Sequence, residues 1–184
     1  MMHAAGCVRP RMPRLISRGE ALARIREEGG TPSCLMCAIA TRSVGDTQAV
    51  FEDEEMLVFL PRYVRCWGAL CVMPKLHVTS FSKVPPALWH RVNALGLKAA
   101  RVVEALQNPR RFYLASTGSS AGELTQSSMH LHIHVLPIHD PEDRPSSVFS
   151  WQEGVYVAEA PEWDALRRAY VERWSRDDAE HGAC

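Results

Sequence analysis

Residues 129–136 of this chain read Met-His-Leu-His-Ile-His-Val-Leu, in which polar and aliphatic side chains alternate from His130 to Val135. Strict alternation is the signature of a β-strand, where residues two apart share a face and lie roughly 6.6 Å apart. His130, His132 and His134 therefore form one row, and Leu131, Ile133 and Val135 face the opposite side. The aliphatic row belongs in a core. The histidine row places ionisable groups where a strand would ordinarily carry apolar ones, which makes it the candidate seat of chemistry.

The sequence around this strand predicts a mixed domain. Residues 49–52 and 56–60 are strand-length apolar blocks about the acidic turn Asp53-Glu54-Glu55, and 66–73 is a third strand ahead of Pro74. After Pro85-Pro86, the positions Trp89, Val92, Leu95, Ala99, Val102, Val103 and Leu106 recur at helical spacing, predicting the main helix over 86–106. Residues 111–116 form a fourth strand, 117–122 a Gly/Ser-rich loop, and 128–136 the histidine strand. Residues 1–17 read as a weakly ordered lead-in to a short amphipathic helix over 19–28, and 38–41 as a brief helical segment. Beyond Pro137 come a loop rich in Pro and Asp, a short strand over 155–157, and a helix opened by Pro161 that displays Trp163, Leu166, Tyr170 and Trp174. Residues 177–184 have little to anchor them. The division expected is an N-terminal tail and helix over 1–32, a central domain over 33–140 and a C-terminal extension over 141–184.

Twenty-one basic residues balance twenty-one acidic ones, so no overall field draws the chain to bulk nucleic acid. No membrane-length apolar run and no export signal are visible, so a cytoplasmic protein is expected. With 184 residues the chain can bury a core without disulfides, and its six cysteines read as metal ligands or buried thiols.

Extended geometry separates His130 from His134 by about 13 Å, while zinc–nitrogen bonds are roughly 2 Å. One ion can take at most two neighbours of the row, so the three imidazoles must divide their labour. One can serve as nucleophile or base near neutral pH, and a neighbour can orient it. Cys34-x-x-Cys37 reads as half of a zinc site, as two buried thiols or as a redox pair. The zinc reading needs two more ligands, for which His77 and one member of the row are candidates; the redox reading needs a preceding strand that is missing. Cys66 and Cys71 are expected in the core. Arg62 and Arg65 read as solvated loop cations or as a clamp for phosphate or carboxylate.

With Cys34-x-x-Cys37, Pro74-Lys75-Leu76-His77 and the histidine row together, the chain resembles the histidine triad (HIT) family of nucleotide-binding hydrolases and transferases over about 33–137. Residues 51–54, 58–60 and 72–75 follow the family pattern in order and spacing. The resemblance implies an α+β fold with an antiparallel sheet of about five strands, a long main helix and, here, helical extensions at both ends. It implies a nucleotide-type small-molecule substrate, a homodimer, and His132 as the nucleophile that attacks an α-phosphate to form a nucleotidyl-histidine. His134, Gln126 and Ser127 would bind the phosphate and assist, while Cys34, Cys37, His77 and His130 would hold a structural zinc. The chain departs from the pattern at Pro61, where members carry a ribose-binding acidic residue or Asn, at Gly68-Ala69 and Ser116, and in the inserted residues 123–125. Those departures motivate the alternative of a non-catalytic nucleotide-binding or regulatory protein.

Overall fold

The computed structural model describes residues 13–29, 34–45, 47–116 and 129–182. Strand β1 (Arg14–Ile16) and helices α1 (Arg18–Gly29) and α2 (Leu35–Ala40) precede the strands β2 (Gln48–Glu52), β3 (Met56–Leu60) and β4 (Leu70–Pro74). Helix α3 (Pro86–Gln107) leads to β5 (Arg111–Ala115) and β6 (Ile133–Ile138), followed by α4 (Pro145–Ser150), β7 (Val155–Val157) and α5 (Ala160–His181). The main sheet has five antiparallel strands in the order β2-β3-β4-β6-β5, and β1 pairs with β7 in a separate ribbon.

Register divides the sheet into two working faces. Ala49, Phe59, Cys71, His134 and Ala115 are successive partners across all five strands, so they share one face. α2 packs on that face, its Cys34 and Met36 closing over Leu57, Phe59, Cys71 and Met73. The opposite face carries Val58, Val72 and Ile133 against Val92, Leu95, Ala99, Val102 and Val103 of α3. α3 starts at Pro86, whose missing N–H is harmless there, and stops at Asn108 in the left-handed conformation. Leu106 is exposed rather than part of the apolar face.

α5 lies beside α3. Its Trp163, Tyr170, Trp174 and Asp177 recur at spacings of 7, 4 and 3 and are buried. Trp174 stacks on Phe51 at 5.4 Å and Trp163 meets Trp67 at 4.7 Å. The last turns of α5 are firmly held, against the expectation for 177–184: Asp177 receives a bidentate bond from Arg101, and buried Lys98 pairs with Asp178. Arg101 holds the Asp177 carboxyl below its ordinary pKa.

Two other expectations need correction. β1 is ordered, because Arg14–Ile16 finds β7 and buries Ile16 with Ala21 and Val155. Gly154 permits this contact, since a Cβ there would lie 2.2 Å from the Ile16 carbonyl oxygen. The third strand begins only at Leu70, because 66–69 turn on Gly68 at φ +83° with the Ala69 N–H donating to the Cys66 carbonyl. A side chain at Gly68 would strike Gln107 and Tyr170 within 2.8 Å, so the turn also sets how closely α3 and α5 approach it.

Candidate functional site

The histidine segment is only partly a strand. β6 starts at Ile133, where the ladder to β4 ends at the Val72 pair, and the Leu131 N–H instead donates to the Val78 carbonyl at 2.7 Å. Leu131, Ile133 and Val135 are buried as the alternation requires. The departure of Leu131 from the ladder leaves His130 outside β6, where it meets Cys34, Cys37 and His77.

Cys34 caps α2, its Sγ accepting from the Cys37 N–H at 3.5 Å. Placing the second cysteine three residues on, in the first helical turn, brings both sulfurs to the same end of the helix. His77 arrives from the segment after β4 and His130 from the segment before β6. The His130 Nδ1 lies 3.5 Å from both sulfurs and 3.3 Å from the His77 Nδ1, which is itself 3.3 Å from the Cys37 Sγ. All four donor atoms fall within 4.8 Å of one another.

These separations fit one tetrahedral ion. Zinc bonds of about 2.3 Å to sulfur and 2.0–2.1 Å to nitrogen place neighbouring donors roughly 3.3–3.8 Å apart. The second shell agrees. His130 Nε2 lies 2.7 Å from the Pro74 carbonyl oxygen, which can only accept, so the neutral ring carries its proton there and turns a bare Nδ1 inward. Two thiols and two imidazoles suit zinc better than calcium or magnesium, which prefer oxygen. A second gathering, Asp177, Glu180 and His181, is already engaged by Arg101 and Arg173 and reads as an ion-pair network.

The same reasoning fixes His132. Its Nδ1 donates to the His130 carbonyl oxygen at 2.6 Å, so the neutral imidazole carries its lone pair on Nε2. The ring is buried and meets His134 edge-on, with centroids 4.8 Å apart and planes at 85°. Burial, followed by the influence of His132, lowers the His134 pKa to about 3, so that ring is neutral at physiological pH. A neutral imidazole with a defined tautomer is a competent nucleophile, and a second neutral ring beside it can donate to an anionic oxygen.

Gln126 and Ser127, expected to assist at the phosphate, lie outside the described residues, as does the insertion at 123–125. Arg65 is mostly buried and clamps carboxylates of its own chain, binding Asp143 at 2.8 Å and Glu153. Arg62 pairs with Glu28 of α1 at 3.3 Å, beside half-buried Pro61. Cys66 and Cys71 are buried as expected, and burial pushes the Cys66 thiol up to about 12. One neighbour of the site was absent from the sequence reading: Phe149 on α4, whose ring lies 6.5 Å from that of His134. Pro145 at the first turn signals a short helix there, but no local pattern ties it to a residue fifteen positions earlier.

Among the described residues, no helix is long and apolar enough to cross a membrane. The family model described as the HIT domain matches residues 42–140. An uncharacterized HIT-like protein of Mycobacterium tuberculosis is 27% identical over 148 residues, 79% of this chain and 96% of that relative. The adenylylsulfatase HINT3 of Arabidopsis thaliana is 26% identical over 105 residues, 56% of this chain and 51% of the relative. Among solved structures, a zinc-bound histidine triad family protein from Mycobacterium smegmatis superposes with a TM-score of 0.61 at 21% identity, covering 81% of this chain and 98% of that one.

Proposed function

This chain belongs to the HIT family, and on that premise we propose that it is a nucleotide hydrolase or nucleotidyl transferase acting at the α-phosphate of a nucleoside phosphoanhydride or phosphoramidate. The observation that carries the reading is the 2.6 Å bond from His132 Nδ1 to the His130 carbonyl, which presents Nε2 as the lone-pair nitrogen. Kinship with a relative named adenylylsulfatase supports a nucleotide as substrate.

In the proposed reaction, His132 Nε2 forms a bond to the α-phosphorus. The bond from phosphorus to the leaving oxygen or nitrogen breaks, and the leaving group departs with the electron pair and takes up a proton. The imidazolium that forms keeps its Nδ1 proton on the His130 carbonyl, which stabilises the ring's new positive charge. Water, or another acceptor, then attacks the phosphorus and gives up a proton to solvent, while the phosphorus–nitrogen bond breaks and returns its electron pair to Nε2, releasing the nucleotide. His134, with Gln126 and Ser127, is assigned to the phosphoryl oxygens, where positioned donors lower the barrier.

Cys34, Cys37, His77 and His130 are assigned to a structural zinc, supported by their donor geometry and by the zinc-bound relative from M. smegmatis. When bound, zinc joins α2, the segment after β4 and the segment before β6. A homodimer is also part of this reading. The departure at Pro61, a residue with no side-chain hydrogen-bonding group, favours one alternative, a protein that binds nucleotide without turnover.

Intact-mass analysis after mixing with nucleoside polyphosphates and phosphoramidates tests the reaction. A nucleotidyl mass addition is expected in the native protein and absent from His132→Ala. Binding with neither adduct nor product would replace the enzymatic reading by the alternative.

A further inference from the structure

We propose that Glu52 is a positioning residue for the four-donor set, holding the segments of Cys34, Cys37, His77 and His130 ready for a metal ion; this rests on the zinc assignment made above. One oxygen of its carboxylate binds Arg42, two residues past the end of α2. The other binds Lys75, two residues before His77, at 2.7 Å. A single side chain on β2 therefore joins the two segments that bring three of the four donors.

Two departures from regular backbone bring these groups together. The first is the β-bulge between Ala49 and Phe51. Ala49 faces α2 with Phe59, so in an unbroken ladder Glu52, three residues on, would face the opposite side. With one extra residue inserted, Phe51 turns to Trp174 of α5, and Glu52 pairs with Leu57 on the face that α2 covers. The second is Arg42, a non-glycine residue at φ +59°. Its N–H donates to the Ile39 carbonyl and that of Ser43 to the Ala38 carbonyl, closing α2 in a turn where glycine is the favoured residue. An arginine in this left-handed position is strained, and the guanidinium it carries reaches Glu52.

The other arm of the clasp is held twice, since Lys75 binds Glu52 through its side chain and donates its N–H to the Glu55 carbonyl at 2.6 Å. The residue before it, Pro74, supplies the carbonyl that takes the His130 Nε2 proton, so the clasp bears on the fourth donor as well. Donors already gathered need less ordering when a metal binds, and a residue that gathers them strengthens binding without touching the ion. Removing the carboxylate leaves Arg42 and Lys75 as neighbouring like charges, which pushes their two segments apart. Because the Glu52 side chain is 34% exposed, this contribution is screened by salt, unlike the apolar packing beneath α2.

The test is the zinc affinity of the full chain, measured at low salt by competition with a chromogenic chelator. Glu52→Gln is expected to weaken it by about three- to tenfold, within the range of two partly exposed ion pairs, and the difference from the native protein to close at about 1 M salt. Arg42→Gly removes the guanidinium while suiting the turn, and is expected to weaken binding by a similar factor. Glu20→Gln, which breaks the ion pairs of α1 with Arg14 and Arg24, is expected to leave it unchanged. Affinities equal to native in the Glu52 and Arg42 variants, a loss matched by Glu20→Gln, or a difference that salt fails to narrow would overturn the proposal. An ion pair of merely structural value would instead lower the Tm of the metal-free protein and leave the affinity as it was. Native protein that takes up no zinc removes the zinc assignment and the clasp together; zinc binding indifferent to Glu52 removes the clasp alone.

Discussion

His134 sits where burial opposes its charged form, and its pKa of about 3 lies well below the ordinary 6.5. In the unfolded chain this ring takes a proton as pH falls below about 6.5, whereas in the folded protein it resists until near 3. Its contribution to stability is therefore full above the unfolded value and is lost progressively as pH drops towards the folded one. The expected outcome is that its ring resonances stay those of a neutral imidazole between pH 8 and 5 in a nitrogen-detected NMR titration; a midpoint near 6.5 would contradict the burial argument. Much at this scale was legible in the sequence, since the alternation separated three histidines from three aliphatics and implied that the histidines could not all do one job. It did not show that His130 leaves the strand, because that depends on the Val78 carbonyl, 53 positions from Leu131 and without any local pattern. Asp177 was hidden for a similar reason. It falls in a polar run, and its partner Arg101 belongs to another helix 76 residues away.

Among the elements, α2 is the one whose place depends most on chemistry other than packing. Its six residues are too few to form a stable helix alone, and its attachments are a small apolar cluster and two sulfurs in the four-donor set. Purified without chelator, the protein is expected to carry about one zinc per chain by elemental analysis, and Cys34→Ser/Cys37→Ser none. A metal contribution of about 3–5 kcal/mol corresponds, at roughly 2–4 °C per kcal/mol for a domain of this size, to a fall in Tm of about 6–20 °C on its loss. Metal-free native protein with an unchanged Tm would remove the structural role. Element types were largely readable from periodicity: the hairpin, the long helix and the tryptophan-bearing helix all emerge from apolar spacing. The misses were short pieces, β1 and α4, whose three and six residues carry too little pattern and owe their order to distant partners such as β7 and Arg65.

At the scale of the whole molecule, the two margins of the main sheet differ. β2 is packed against α5 through the Phe51 and Trp174 stack, while β5 ends the strand order with one ladder only, to β6. Leu114 on β5 is 53% exposed and Leu97 on α3 is 59% exposed. An unpaired margin that carries an exposed leucine is a surface that a second copy would cover, and light scattering at micromolar concentration is expected to return twice the chain mass; a monomeric mass would remove the dimer from the proposal. Sequence could supply the five strands but not which margin stays open, because that follows from where α5 lands. The line of partners from Ala49 through Phe59, Cys71 and His134 to Ala115 has a consequence of its own. A slip of one residue in the ladder between β4 and β6 would carry His134 through the sheet to the side of α3. The imidazole thus serves as a gauge of correct assembly: a chain that has zipped out of step has no site to offer, however compact it has become.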